Sequence, residues 1–228
     1  MDKPDFAVRP QSLTMTARFI NFWLHRLVRL LLWIMRVDFK VTNKDIVPKK
    51  GPVVLVCGDH TSLADAIFMI ASINRPYAGV GMAELLSDEW PWIIRKAFEL
   101  LGHIPIVRGD AASGDLVFEH GKHALANRQM LVLWAHGRQV RRGDQDAPWY
   151  PGFARFAKTM DAPLYIFKIV GPDDFWPTHP DDGGPQAKNW RAKVRATFSG
   201  PINPHDYTSV DELVAATRTI YDGLKLPD

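Results

Sequence analysis

The chain has 228 residues, of which 46% are hydrophobic and 23% are charged, which fits one globular domain and excludes a disordered or fibrous protein. Its single cysteine, Cys57, cannot form an intrachain disulfide, so a reducing compartment is expected. The formal net charge of +3 is too small to indicate a nucleic-acid-binding protein, and we expect no nucleic-acid partner.

The first predicted element is a helix in the most apolar part of the chain. On a helical wheel, Leu, Ile, Phe, Met and Trp fill one broad face, and the opposite arc carries Arg18, Asn21, His25, Arg26, Arg29 and Arg36. The longest unbroken apolar run, residues 30–35, is far shorter than the roughly 20 residues that span a bilayer. We therefore predict an amphipathic helix over residues 12–36 that lies in a membrane interface, with its arginines toward anionic lipid. The alternative is that this helix packs on the protein's own core.

The rest of the chain alternates short apolar runs, which predict strands, with longer runs of helical spacing. The predicted strands cover residues 53–57, 77–82, 104–107, 131–134, 164–170 and 192–198. The predicted helices cover residues 63–73, 89–101, 112–126 and 152–160, and a last one follows the capping box of Ser209 and Glu212 to residue 224. Residues 135–151 and 173–188 are predicted loops. Strands separated by helices predict an α/β fold with a largely parallel sheet flanked by helices. We expect residues 37–228 to form this core, within one domain over residues 1–228.

A histidine and an aspartate follow the first of these strands. His60 and Asp65 lie in a strand-to-helix turn, where open α/β sheets place their ligands. A carboxylate that accepts the Nδ1–H of an imidazole leaves Nε2 free to take a proton from a hydroxyl, so the pair predicts general-base chemistry. Ser62 and Asp65 also match a capping box, which leaves helix capping as the alternative role of Asp65.

Two further segments place arginines just after predicted strands. Arg108 follows the strand over 104–107, and Gly137, Arg138 and Arg141 lie in the loop after the strand over 131–134. Guanidinium groups and glycine N–H groups in such positions suit a phosphate or carboxylate. The alternatives are a surface arginine and a solvated basic loop.

Two histidines close together, His120 and His123, resemble a metal pair only superficially. On a helix they are expected on its polar face, so no metal site is predicted.

Taken in order, these segments resemble the 1-acylglycerol-3-phosphate acyltransferase (PlsC-like) family of glycerolipid acyltransferases over residues 37–170. The family's first block, Asn-His-x-Ser-x-x-Asp, is matched by residues 59–65, with Asp59 in place of the Asn. Its second block, an apolar segment that ends in Gly and Arg-Gly, resembles residues 102–109.

The third block of the family, Phe-Pro-Glu-Gly-Thr-Arg-Ser, aligns without gaps on residues 134–140 and is strongly altered. Only Gly137 is kept, while His136 replaces the Glu, Arg138 the Thr and Gln139 the Arg. In the family this block helps to bind the phosphate of the acceptor, so the change puts the usual lysophosphatidate acceptor in doubt.

The resemblance implies the fold of glycerol-phosphate acyltransferases and transfer of a fatty acyl group to a hydroxyl of a lysophospholipid or related lipid. It implies His60 as general base and Asp65 as its orienting partner, with backbone N–H groups at the following helix start for the oxyanion. The residues it implies in substrate binding are Ser62, Arg108, His136, Gly137, Arg138 and Arg141. The donor would be acyl-CoA or an acyl carrier protein, with no cofactor and no metal.

The partners expected beside this donor are lipids of a membrane surface, and the expected location is the cytoplasmic face of the cell membrane, with the protein attached peripherally. Two other functions stay open. One is a weak or inactive membrane-associated lipid-binding homologue, and the other is an acyl-thioester hydrolase that uses water as acceptor.

Overall fold

A computed structural model describes residues 15–83, 92, 95–96, 102–107, 109–144 and 146–228. Its helices are α1 (Met15–Ile34), α2 (Asp65–Ser72), α3 (Ala111–Ala126), α4 (Gly152–Thr159), α5 (Pro172–Phe175) and α6 (Val210–Gly223). Its strands are β1 (Asp38–Thr42), β2 (Val53–Cys57), β3 (Tyr77–Met82), β4 (Ile104–Ile106), β5 (Met130–Trp134), β6 (Leu164–Val170) and β7 (Lys193–Ile202). Most of the helix predicted over residues 89–101 lies outside the described residues.

The described strands form one sheet in the order β1-β7-β6-β2-β5-β3-β4. Every neighbouring pair is parallel except β6 and β7, which run antiparallel. The predicted fold, a largely parallel sheet flanked by helices, is confirmed. Strand β1 was not predicted, and the short helix α5 begins at the edge of a predicted loop.

The core lies on both faces of the central strand β2, all five residues of which are fully buried. Because successive side chains of a strand point to opposite faces, β2 contributes to two apolar clusters. Val53, Leu55 and Cys57 pack with residues of α1 and α2, whereas Val54 and Val56 pack with residues of α3, α4 and α6.

Three parallel strands end at the same edge of the sheet. Cys57, the last residue of β2, is in register with Trp134 at the end of β5 and with Phe167 in β6. The loops that follow β2, β5 and β6 therefore meet beside the carboxyl end of β2, the edge at which open α/β sheets bind ligands.

The helix α1 lies against α2 with part of its polar face turned inward. Asn21 is 3% exposed, Nδ1 of His25 lies 2.7 Å from the carbonyl oxygen of Ile70, and Arg29 donates to the carbonyl of Ala71. These carbonyls belong to the last turn of α2, where carbonyl groups that the helix leaves unpaired accept hydrogen bonds. The sequence predicts the arginines toward anionic lipid, whereas Arg29 faces α2, so this part of the helix packs on the protein's own core.

The outward face of α1 is apolar. The exposed large apolar side chains of this helix are Phe19, Phe22, Trp23, Leu27, Leu30, Leu31, Trp33 and Ile34. Arg26 lies among them, with its guanidinium 3.4 Å from the ring centroid of Phe22. Within the part of the chain that the structure describes, α1 and the other helices are too short or too polar to cross a membrane.

Candidate active site

His60 and Asp65 form a hydrogen-bonded pair in the turn between β2 and α2. Nδ1 of His60 lies 2.7 Å from Oδ2 of Asp65, whose side chain is completely buried, while the side chain of His60 is 17% exposed. The imidazole stacks on the indole of Trp134 at the end of β5, with ring centroids 4.4 Å apart and planes 15° from parallel. No described residue hydrogen-bonds to Nε2 of His60, so this nitrogen is available for an acceptor hydroxyl.

The turn that carries the pair is held by its own side chains and by the segment after β6. Oδ2 of Asp65 also accepts the Ser62 N–H at 3.0 Å. The Ser62 hydroxyl donates to the Trp176 carbonyl at 2.6 Å and accepts the Ala64 N–H at 3.0 Å. Asp65 therefore both holds His60 and closes the turn that starts α2, so the two roles considered from the sequence coexist.

Burial dominates the electrostatics of Asp65. Desolvation raises the pKa of this carboxyl above its usual value of 3.8, while the hydrogen bond and the charge of His60 act in the opposite direction. None of the described residues bonds to its second oxygen, Oδ1. A buried carboxylate with so little solvation depends on the two groups that hydrogen-bond to Oδ2, Nδ1 of His60 and the Ser62 N–H.

The N–H groups at this turn do not form the expected oxyanion site. The Leu63 N–H donates to the Thr178 hydroxyl at 2.8 Å, and the Asp65 N–H donates to the Ser62 carbonyl at 3.1 Å. With the bonds of Ser62 and Ala64, all four N–H groups of residues 62–65 are thus used within the protein. An oxyanion site at the start of the helix would therefore have to use N–H groups of residues after 65.

The loop after β5 borders the same turn. The Val140 N–H donates to the His60 carbonyl at 2.8 Å, and the side-chain amide of Gln139 lies 3.1 Å from the Thr178 hydroxyl oxygen. An open cleft of about 340 Å³ reaches Thr61, the residue after His60, although His60 itself does not line it. Its lining residues are Thr61, Val140, Arg141, Arg142, Asp173, Pro177, Thr178, His179 and Asp182. The loops after β2, β5 and β6 therefore share one cleft.

The arginines of this loop differ in their partners. Arg141 donates to Asp182 at 2.8 Å, and Arg142 donates to Asp174 at 2.7 Å and also to Asp173. Arg138 is exposed, and none of the described residues pairs with it. Of these arginines, Arg138 is the one whose charge is not already matched by a carboxylate.

Two other residues predicted to bind substrate, Ser62 and His136, lie at the His60 turn but are buried. Ser62 is fully buried and His136 is 2% exposed, with its nitrogens near Asp59 and the Pro148 carbonyl. This placement differs from the expected contacts with a substrate, because the protein itself engages both side chains. Gly137 forms the turn after β5 with a φ of 60°, and Arg108 lies outside the described residues.

Several residues that shape the site were not predicted. Tyr221 in α6 accepts the Asp59 N–H at 3.2 Å, and a Cβ atom on Gly58 would lie 2.2 Å from its ring. Thr178 and Trp176 hold the turn from the segment after α5. None of them shares a sequence motif with His60, so no local pattern connects them to it.

The family model described as Acyltransferase matches residues 38–169 of the chain. Two proteins described as probable 1-acyl-sn-glycerol-3-phosphate acyltransferases are similar to it. The one from Mycoplasma pneumoniae is 25% identical over 193 residues, covering 82% of this chain and 70% of the relative. The one from Mycoplasma genitalium is 24% identical over 195 residues, covering 82% and 69%.

A solved structure is also similar, the crystal structure of the 1-acyl-sn-glycerophosphate (LPA) acyltransferase, PlsC, from Thermotoga maritima. It matches with a TM-score of 0.66 and 17% identity, over 90% of this chain and 78% of that one. At this identity the likeness concerns the fold, which the two chains share.

Proposed function

The chain belongs to the acyltransferase family, and from this membership we propose that it transfers a fatty acyl group from an acyl thioester to a lipid hydroxyl at a membrane surface. The observation that carries the proposal is the pair of His60 and Asp65, joined at 2.7 Å beside an open cleft. We assign the whole chain to one domain, with residues 37–228 as its catalytic core.

His60 is the general base of this reaction. Its Nε2 takes the proton of the acceptor hydroxyl as the hydroxyl oxygen attacks the thioester carbonyl. The tetrahedral intermediate then collapses, the carbon–sulfur bond breaks, and the imidazolium returns the proton to the leaving thiolate. The thioester is already activated, so no covalent intermediate on the enzyme is required.

Asp65 orients the base and stabilises its charged form. The hydrogen bond to Nδ1 fixes the tautomer in which Nε2 is the basic nitrogen. Because Asp65 is buried, its charge acts on His60 with little screening by water. Stacking on Trp134 limits rotation of the imidazole, which keeps Nε2 in one direction.

The acceptor in this proposal is a lysophospholipid or a related lipid with a free hydroxyl. The two Mycoplasma relatives, described as probable 1-acyl-sn-glycerol-3-phosphate acyltransferases, support this class. We assign Arg138 and Arg108 to the head group of the acceptor, since a guanidinium binds phosphate oxygens through parallel N–H donors. Gly137 gives Arg138 its position in the turn, and Arg141 lines the cleft in its ion pair with Asp182.

The apolar outward face of α1 supports a peripheral attachment to the cytoplasmic face of the cell membrane. Phe19, Trp23 and Trp33 are each more than half exposed on it. An interfacial helix buries such a face in the acyl boundary of the bilayer, and Trp side chains favour that depth. Attachment there would bring the cleft to lipid acceptors, while acyl-CoA or acyl carrier protein would arrive from solution.

The test is a transfer assay on the full chain with vesicles that contain a panel of lysophospholipids. Labelled acyl-CoA and labelled acyl carrier protein are supplied in separate reactions, and diacyl phospholipid without a free hydroxyl serves as the control acceptor. We expect a labelled diacyl product with at least one lysophospholipid and none with the control. Release of labelled free fatty acid alone would identify a hydrolase, and vesicle binding without any turnover would identify a lipid-binding homologue. Both results contradict the proposal.

A further inference from the structure

A second pair of a histidine and an aspartate lies directly behind the His60 turn. Nε2 of His136, in the loop after β5, is 3.3 Å from Oδ1 of Asp59, the residue that precedes His60. Its Nδ1 is 2.9 Å from the carbonyl oxygen of Pro148. The His136 side chain is 2% exposed and that of Asp59 is 26% exposed, so the contact is mostly shielded from water.

The partners of His136 determine where its protons are. A carbonyl oxygen only accepts hydrogen bonds, so Nδ1 must carry a proton and donate it to Pro148. An ionised carboxylate also only accepts, so the contact with Asp59 requires a proton on Nε2 as well. The Nε2–Oδ1 contact therefore shares one proton between the imidazole and the carboxyl group.

Trp149 and Tyr221 connect this pair to α6. Trp149 meets the His136 ring edge-on at 6.1 Å and the Tyr221 ring at 5.3 Å, and the Tyr221 hydroxyl accepts the Asp59 N–H. The other groups facing this set are Lys168 of β6, whose ammonium lies 4.9 Å from the Tyr221 ring centroid, and Arg218 of α6, which donates to the Ala147 carbonyl. Both are cations, and the charges of Asp222 and Asp59 both act on Lys168, so these two carboxylates are the anionic groups around this set.

Both residues depart from the motif blocks that the sequence resembles. Asp59 stands where the first block has Asn, and His136 stands where the third block has Glu, in a segment that keeps only Gly137 of that block. The two departures meet in space although they are 77 residues apart.

We propose that Asp59 and His136 are a proton-sharing pair in which His136 acts as a positioning residue for the catalytic turn. Asp59 is covalently joined to His60, so its side-chain bond to the β5 loop and its N–H bond to α6 fix the backbone from which the base projects. The rate readout of the test below rests on the proposed function, whereas its spectroscopic readouts do not.

The kinetic test compares Asp59→Asn, His136→Gln and the double variant Asp59→Asn/His136→Glu, which restores the residue types of the motif blocks. We expect each single variant to lower kcat about tenfold to hundredfold with little change in KM, the scale of a misplaced catalytic group. The double variant should regain part of the loss, because the Asn amide donates to the Glu carboxylate while the hydrogen bond to the Pro148 carbonyl stays lost. The matched control is the exposed pair of His205 and Asp161, joined at 2.6 Å, and we expect His205→Gln and Asp161→Asn to retain full activity.

The spectroscopic test uses nitrogen NMR of the histidine rings in the full chain at neutral pH. The signals of His136 are assigned by their loss in His136→Gln, and both ring nitrogens should be protonated in the wild type but not in Asp59→Asn. The Nδ1 proton of His60 should shift in each single variant and return toward its wild-type position in the double variant. These readouts stand even if no acyl transfer is found.

Either of two results would contradict the proposed role of the pair. One is a bare ring nitrogen on His136 in the wild type. The other is a folded double variant whose rate and His60 signal are no nearer to wild type than those of the worse single variant. If transfer is absent from every protein while the NMR results are as expected, the proposed function fails and the pair stands.

Discussion

Asp65 is the residue on which the chemistry of the site most depends. It is completely buried, and one of its carboxylate oxygens holds both His60 and the Ser62 N–H. Burial of a charge costs free energy, and in the proposed mechanism this charge orients and stabilises the imidazolium of the general base.

Replacing Asp65 by Asn should separate the stability of the turn from its chemistry. The Asn carbonyl can still accept the Ser62 N–H, but it cannot stabilise an imidazolium, and the amide favours the wrong tautomer of His60. We expect kcat to fall by about 10² to 10⁴, with the thermal midpoint unchanged or raised, because a buried charge has been removed. Transfer rates and thermal unfolding of the two proteins measure both effects. Transfer by the Asn variant at the wild-type rate would show that Asp65 serves only the turn.

At the scale of elements, α1 has two different surfaces, one that hydrogen-bonds to α2 and one that is exposed and apolar. Its inward surface donates to the last turn of α2 through His25 and Arg29, and its outward surface is apolar. An exposed apolar face of this extent on a helix is typical of a contact with lipid or with another protein.

The outward face should decide how strongly the protein binds vesicles. Burying one large apolar side chain contributes roughly 1.5 to 3 kcal/mol, so the double variant Phe19→Ser/Trp33→Ser should bind anionic vesicles at least about tenfold more weakly. Leu116→Ser, which alters an exposed leucine on α3, is the control and should bind as the wild type does. Sedimentation with vesicles measures all three proteins. Equal binding of the double variant and the control would exclude α1 as the membrane contact.

The contact between α1 and α2 should weaken in mild acid. Burial lowers the pKa of His25 below its usual value of 6.5, so the unfolded chain takes up the proton more readily than the folded protein. The stability that neutral His25 contributes is therefore complete above pH 6.5 and is lost as the pH falls through the lowered pKa.

Urea unfolding of the wild type and of His25→Gln between about pH 8 and pH 5 tests this linkage. The difference in the free energy of unfolding between the two proteins should change in favour of the variant as the pH falls below 6.5. His103 and His120, whose pKa values are also lowered by burial, are present in both proteins and cancel in the difference. A difference that is constant with pH would contradict the role of His25.

The elements that could be predicted from the sequence are those defined by local patterns. The bounds of β2, β3 and β6 agree with the prediction. Each strand follows a proline, and β2 and β6 are apolar runs that end before a glycine. Strand β1 has the mixed sequence Asp-Phe-Lys-Val-Thr and depends on pairing with β7, which no local pattern reveals. The antiparallel direction of β7 and the inward turn of His25 likewise depend on distant partners.

The candidate site divides in the same way. His60 and Asp65 are five residues apart in one turn, so their contact could be inferred from spacing and from the strand before them. Asp59 and His136 are 77 residues apart, and Asp59 and Tyr221 are 162 residues apart. Their contacts exist because parallel strands end at one edge of the sheet and α6 returns across it, a consequence of topology rather than of a motif.

At the scale of the whole molecule, α6 near the end of the chain is joined to the catalytic turn near its beginning. The Tyr221 ring occupies the space beside Gly58 that any side chain would need, and its hydroxyl accepts the Asp59 N–H. The fold of the carboxyl-terminal helix is therefore part of what shapes the site.

Gly58→Ala should destabilise the protein because the new Cβ would overlap the Tyr221 ring, which Trp149 and Lys168 hold in place. We expect a loss of about 1 to 3 kcal/mol in the free energy of unfolding, the range for overpacked cores. The matched control is Gly114→Ala in α3, where no atom lies within 4 Å of the added Cβ, and it should stabilise the protein by about 0.5 to 1 kcal/mol. Urea unfolding measures both. Opposite signs support the close packing of α6 on the turn, and equal stabilisation would refute it.

The central claim, that His60 is the base of an acyl transfer, is tested most directly by the transfer rate of His60→Ala with a labelled acyl thioester and a lysophospholipid acceptor. His123→Ala, which removes an exposed histidine of α3, is the matched control. We predict that His60→Ala is folded and slower than the wild type by about 10² or more, and that His123→Ala keeps the wild-type rate. Undiminished transfer by His60→Ala would contradict the account.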